Sequence, residues 1–283
     1  APYPKPEPGR TLVVLLGSVR GGEPTWKSLY RHVLDVNNAD LALMIGKIGQ
    51  SQNSSSLYSR TEYVWEFPKF SDWNDAFDYF FREEIPSEDA PPANWRELLA
   101  FGKDADAPFG SESSGAIMGF AKAMLMQRLQ AWNLLEKYDW FVVTRPDQYY
   151  ECDLNLTQMD PSKLWVPTGE SWWGICDRFL ATGRDNILKA LNTHPPAIQS
   201  PEKYEVFDGN AESFLKLRWE HENILNKVKR FRRIMFTAYS VNDWTRWNSD
   251  RLMVAFTEDG IPIQYKYADE YYQAMTCSAA STG

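Results

Sequence analysis

Cysteine, histidine and net positive charge are all scarce in this 283-residue chain, and each shortage removes a class of function. The three cysteines, Cys152, Cys176 and Cys277, stand far apart with no CxxC among them. Neither a disulfide framework nor a zinc knuckle is expected, and the three read as structural thiols. The three histidines, His32, His194 and His221, form no HExxH, and no Ser-His-Asp order with a nucleophile elbow is present. A zinc hydrolase and a serine hydrolase are therefore not expected. Lys and Arg number 30 against 38 Asp and Glu, a formal net charge of -8. That balance excludes a nucleic-acid coat, which needs a concentrated basic surface, so any anionic ligand has to be met locally. No run of about 18 apolar residues occurs, and no membrane span is expected. No repeat period stands out, which disfavours solenoids and propellers.

What the chain has is a hydrophobic content of 43%, enough to bury a full core in one domain. Residues 1–10, APYPKPEPGR, form a proline-rich extension that reads as a tether, and residues 276–283 form a tail. Between them, Thr11 to Leu16 and Leu41 to Ile45 are apolar strands, with a helix from about Thr25 to Asp35, and Glu62 to Phe67 is an alternating strand. This order predicts an α/β fold with a mixed, mostly parallel central sheet flanked by helices. From Pro68 to Gly110 the chain turns aromatic, acidic and proline-rich, a stretch expected to hold short helices and loops. Ser114 to Lys137 carries a long helical pattern, and Trp140 to Thr144 is a strand covered on both faces. Further on, a strand is expected at Lys163 to Val166 and helices at Gly183 to Asn192 and Ala211 to Lys229. Strands are expected at Arg233 to Tyr239 and Leu252 to Phe256, with an ordered aromatic tail fraying after Thr276.

Three groups of residues can carry chemistry. Gly17, Ser18, Arg20, Gly21 and Gly22 follow the first strand, where backbone N–H groups and one guanidinium can meet a phosphate. The pattern is neither a Walker motif nor GxGxxG, and a plain turn between strand and helix fits it too. Arg145-Pro146-Asp147-Gln148-Tyr149 leaves the Trp140 strand at its carboxyl end, where open α/β sheets place ligands. Asp147 can coordinate a hard divalent ion that also holds a diphosphate, with Glu151 and Asp153 as further ligands, or can pair with Arg145 across the sheet edge. Ser171 to Phe179 sets Trp172, Trp173 and Gly174 beside Asp177 and Arg178. Such tryptophans can stack on a sugar ring and Asp177 can act as a general base, or the group can be core tryptophans with an Asp177–Arg178 or Asp177–Arg184 pair. Trp244, Arg246 and Trp247 form a further aromatic and basic group that can line an acceptor groove or belong to a folded C-terminal core.

Taken in order, LVVLLGSVRGG, DWFVVTRPDQYY, LWVPTGESWWGICDRF and NAESFLKLRW resemble nucleotide-sugar glycosyltransferases of the GT-A fold, of the diffuse plant, algal and large-algal-virus kind. The resemblance covers roughly residues 10–246. It implies one GT-A-like domain over 11–275, with a donor half at about 11–150 and an acceptor half at about 151–275. It further implies donor binding by Gly17, Ser18, Arg20, Arg145, Asp147 and Tyr149, and Mn²⁺ or Mg²⁺ at Asp147. Tyr149 stands where the DxD element of that group has its second Asp. Trp172, Trp173, Gly174, Arg178, Trp244 and Arg246 would meet the acceptor, Asp177 would be the base of an inverting displacement, and Asn210 and Glu212 match an element without a clear role.

The reaction implied is transfer of xylose, galactose or glucose from a UDP- or GDP-sugar to an oligosaccharide or a glycoprotein glycan, with no nucleic-acid partner. A noncatalytic carbohydrate-binding protein and a nucleotide-sugar hydrolase are the alternatives. The chain fits either a cytoplasmic enzyme or the lumenal domain of a Golgi enzyme. Asn53-Ser54-Ser55 and Asn155-Leu156-Thr157 match the N-glycosylation acceptor, which matters only in the second case.

Overall fold

The strands and helices follow the chain in an α/β order, seen in a computed structural model that describes residues 10–46, 55–67, 114–200, 203, 210–240 and 253–279. The Pro68 to Gly110 stretch, Asn53, and the group Trp244, Arg246 and Trp247 lie outside these residues. Strand β1 is Thr11–Gly17, β2 is Asp40–Gly46, β3 is Thr61–Phe67 and β4 is Trp140–Thr144. The short β5, Gln148–Tyr150, precedes β6 at Leu164–Pro167, β7 at Phe179–Gly183 and β8 at Val228–Phe231. The last three are β9 at Met235–Ser240, β10 at Met253–Phe256 and β11 at Pro262–Tyr265.

The main sheet has seven strands in the order β3-β2-β1-β4-β7-β6-β8. It is mostly parallel, and β7 alone runs against its neighbours β4 and β6. Every residue of β1 and of β4 is buried, which is why both read as unbroken apolar runs. The edge strand β3 instead alternates, with Tyr63, Trp65 and Phe67 inward and Glu62, Val64 and Glu66 outward. A second sheet, in the order β10-β11-β9-β5, is antiparallel.

Alternate residues of β1 serve opposite layers. Leu12, Val14 and Leu16 pack with Phe120, Met124, Leu125 and Leu129 of the helix Ser114–Ala131. Val13 and Leu15 pack with Trp26, Leu29 and Val33 on the other face. Those residues belong to the helix Gly22–Leu29 and the π-helical turns Tyr30–Asp35 that continue it. Among the described residues no helix is long and apolar enough to cross a membrane.

Several boundaries differ from the sequence expectation for local reasons. The pattern over Ser114 to Lys137 is cut by Asn133, whose φ of 53° ends one helix before the short Leu134–Lys137 turn. The helix expected over Ala211 to Lys229 stops at His221, because Asn223 takes a φ of 55° and the chain then turns into β8. Beyond β11, the helix Ala268–Ala279 continues past Thr276, where fraying was expected.

The cysteine reading is corrected. Cys152 and Cys277 form a disulfide across 125 residues, and only Cys176 is a free, buried thiol. The C-terminal helix folds back onto the segment after β5, a contact that spacing does not encode. Closing so long a loop restricts the unfolded chain, so Cys277→Ser should cost about 2–4 kcal/mol of stability and lower the thermal midpoint. The same drop is expected on adding reductant to the wild-type chain; a midpoint insensitive to both would show that the bridge does not form.

Candidate functional site

The chain lays down β1, β2 and β3 in one direction and then returns to β4 on the other side of β1. The loops leaving β1 and β4 therefore lie side by side at the carboxyl ends of the strands, the place where open α/β sheets bind ligands in a crevice. Gly17, Gly21 and Gly22 carry that first loop at φ 117°, 93° and 74°. A Cβ on Gly21 would stand 2.9 Å from the Pro146 carbonyl oxygen, so only glycine lets the two loops touch. Ser18 is exposed and Arg20 half-buried, and the Arg20 carbonyl accepts a hydrogen bond from Trp26 Nε1 at 3.0 Å.

In the second loop Arg145 grips Asp147 in bidentate fashion. Its Nε donates to Oδ1 at 2.8 Å and its Nη2 to Oδ2, and the Asp147 side chain is almost fully buried. Burial works against the charged Arg145 guanidinium, but the Asp147 carboxylate outweighs it and holds its pKa above the usual value. Of the two readings open for these residues, the structure holds the pair.

A second network lies beside the first. Arg178 Nη1 bonds Glu270 Oε1 at 2.8 Å and Thr237 Oγ1 at 3.1 Å, and Arg233 Nη1 reaches the same Glu270 oxygen at 2.9 Å. Glu270 Oε2 accepts from the Thr237 backbone N–H at 2.9 Å, and Gln148 Nε2 donates to Thr237 Oγ1 at 3.0 Å. Arg178 also sits 4.8 Å over the Tyr267 ring, with Lys266 Nζ 4.5 Å from the same ring. Lys266 is pushed down to about 7 by its burial and by the nearby Arg178 and Arg145. Tyr239 is pushed up by burial, with Asp147, Arg145 and Arg20 all within electrostatic reach. Among the described residues, the cations Arg20, Arg145, Arg178, Arg233 and Lys266 meet the carboxylates Asp147, Glu170 and Glu270 here. With Lys122, Asp177 and Glu212, which share the same field, the six cations outnumber the five carboxylates, so an acidic chain concentrates a formal excess of one positive charge at its crevice when Lys266 is protonated.

Because β7 runs backward, Phe179 pairs with Thr144 and the residues just before it reach the same end of the sheet as Arg145. Asp177 is half-buried there, within electrostatic reach of Lys122 and Glu212. Burial lowers the Lys122 pKa, opposed by Asp177, Cys176 and Glu212, while Glu212 is pushed up by burial and then by Asp177. Neither Arg178 nor Arg184 is the ion-pair partner of Asp177, since Arg178 pairs with Glu270 and Glu170 and Arg184 with Asp139. Trp172 and Trp173 are 50% and 88% exposed at φ 38° and 64°, so they are surface residues on a strained loop rather than core tryptophans.

Three residues of the motifs make contacts within the fold. Gly174 packs under the helix Ala211–His221, where a Cβ would fall 1.9 Å from the Glu212 carbonyl oxygen, so its backbone meets protein. Asn210 caps that helix through the Ser213 N–H and donates from Nδ2 to the Trp172 carbonyl at 3.1 Å, tying down the tryptophan loop. Tyr149 packs against Phe236, 5.3 Å between rings, while Gln148 on the opposite face of β5 reaches Thr237. The Tyr149 hydroxyl, pushed up to about 12 by burial, lies in the field of Glu151 and Glu258.

The arrangement does not fit a divalent ion. Both Asp147 oxygens are taken by Arg145, and Asp153 is engaged by His32 Nδ1 at 2.8 Å. Among the described residues no group of three His, Cys, Asp or Glu side chains is placed to hold a metal. Sequence reasoning missed Glu270, Lys266 and Arg233, which arrive with the second sheet and the C-terminal helix, and Lys122, hidden in an apolar helical pattern. The one available signal was the placing of Lys266 and Glu270 among the tyrosines of the tail.

No family model matches the chain, and no curated protein matches it.

With Arg178 and Arg233 buried around it, Glu270 cannot lose its charge without leaving both guanidiniums under-compensated. Glu270→Gln should cost about 3–5 kcal/mol in urea unfolding, the range for breaking a buried ion pair. A loss below about 1 kcal/mol, the range for an exposed pair, would show the network to be open to water.

Proposed function

We propose that the protein is a glycosyltransferase moving a sugar from a UDP- or GDP-sugar to a hydroxyl of a glycan acceptor. The observation that carries this reading is the local excess of cations at the strand-order switch point of an otherwise acidic chain. A nucleotide diphosphate is the anion such a crevice suits, because guanidiniums match its paired oxygens and stay charged in partial burial. The exposed Trp172 and Trp173 on an adjoining loop support a sugar-stacking role.

In this reading Arg145, Arg20 and Lys266 neutralise charge as it builds on the departing diphosphate. Asp177 takes the proton of the acceptor hydroxyl, whose oxygen bonds to the anomeric carbon as the carbon–diphosphate bond breaks on the opposite face. That in-line geometry inverts the anomeric centre. Asp177 suits a base because among the described residues no hydrogen bond engages its carboxylate and it is half-exposed. Asp147 would hold Mn²⁺ or Mg²⁺ only after Arg145 had released it, so no step is assigned to a metal. A noncatalytic carbohydrate-binding protein is the second reading, favoured by the exposure of Trp173; it needs no nucleotide.

A thermal-shift series with UDP, GDP and their sugar conjugates, with and without EDTA, separates these readings. A raised midpoint with one nucleotide is expected, and none with any nucleotide in folded protein would leave the carbohydrate-binding reading. Asp177→Asn should lower turnover by roughly 10²–10⁴-fold, the usual worth of a general base, with nucleotide binding retained. Full turnover in that variant would remove Asp177 from the chemistry.

The Lys266 ammonium gives a pH signature. In the free protein it loses its proton as pH rises through about 7, and a bound diphosphate favours the charged form. Binding should therefore take up a proton above neutrality, and affinity should fall as pH rises. Calorimetry in two buffers of different ionisation heat reads that uptake directly, and Lys266→Met should abolish it.

A further inference from the structure

Asn155 lies in the long connection between β5 and β6, where it caps the short 3₁₀ turn Leu156–Gln158. Its Oδ1 accepts two hydrogen bonds from Thr157, one from the backbone N–H at 3.1 Å and one from the hydroxyl at 2.6 Å. Its Nδ2 donates to nothing among the described residues and is not buried. Other asparagine amides are differently employed. Asn37 Nδ2 donates to the carbonyls of Val33 and Leu154, Asn186 Nδ2 to that of Ser162, and Asn210 Nδ2 to that of Trp172.

The segment is anchored on both sides of this open amide. Leu154 and Leu156 are buried, the Leu154 N–H donates to the His32 carbonyl, and the Leu156 N–H donates to Asn37 Oδ1. Asp153, Thr157, Gln158 and Asp160 around it are exposed, so a large substituent on Nδ2 would project into solvent. Asn37 precedes β2, which places Asn155 at the amino ends of the parallel strands, opposite the crevice. Three residues before Asn155, Cys152 is disulfide-bonded to Cys277, and such bonds form and persist in oxidising compartments.

We propose that Asn155 carries an N-linked glycan and that the chain matures in an oxidising, glycosylating compartment. Asn-x-Thr is the acceptor triplet, and its threonine is already bonded to the amide oxygen here. The co-reactant is an oligosaccharide on a lipid diphosphate. The Nδ2 atom forms a bond to the anomeric carbon, the bond from that carbon to the lipid diphosphate breaks, and one amide proton passes to a base of the transferring enzyme. Oδ1 keeps both of its accepted hydrogen bonds afterwards, so attachment leaves the turn intact. The inference is independent of the activity proposed above.

Expression of the full chain behind a secretory leader in eukaryotic cells, followed by peptide mapping of the folded, secreted protein, provides the test. Enzymatic deglycosylation in heavy-oxygen water should convert Asn155 to labelled Asp in most molecules, and the Cys152 and Cys277 peptides should be linked without reductant. Thr157→Ala should lose the label and Thr157→Ser should retain it. Recovery of unmodified Asn155 from the folded wild-type protein, or free alkylation of both cysteines, would overturn the proposal.

Discussion

The crevice depends on one carboxylate. Glu270 is fully buried, and it accepts hydrogen bonds from two guanidiniums and from a backbone N–H of β9. Stripping water from Arg178 and Arg233 costs several kcal/mol per ion, and the surrounding carbonyls cannot replace a counter-charge. The arrangement works because Arg233 also donates to the Thr168 and Gly169 carbonyls and Arg178 to Thr237, leaving few guanidinium protons without an acceptor. Four parts of the chain meet at that carboxylate: the loop entering β7, the turn between β8 and β9, strand β9 and the C-terminal helix. Docking the second sheet and setting the charge of the crevice are thus one event.

The acidic surface and basic crevice act at different ranges. At physiological salt, charges are screened beyond about 8 Å, so a ligand feels the net negative charge only weakly from afar. Close in, low-dielectric walls strengthen the field of partly buried cations. The overall charge of -8 therefore says little about what the crevice attracts.

The sequence made the central strands readable because β1 and β4 are buried on both faces and carry unbroken apolar runs. Arg145 and Asp147 were readable because they follow such a strand directly. Arg178 was found as part of a motif, but Glu270 was not, since it reaches Arg178 from the C-terminal helix, far along the chain. The end of the helix at His221 was obscured because Ile224, Leu225 and Val228 keep a helical spacing while packing from a turn and a strand. Only the left-handed Asn223 marks the break, and asparagine is a weak local signal. The disulfide was illegible for the same reason as Glu270: the C-terminal helix brings both.

The contact between Gly21 and Pro146 has a mechanical consequence. With a gap too small for a methyl group, neither loop can shift toward the other, and a displacement of one presses on the carbonyl next to Asp147. The two loops pack as one unit over the ends of β1 and β4, and a side chain at residue 21 would push them apart.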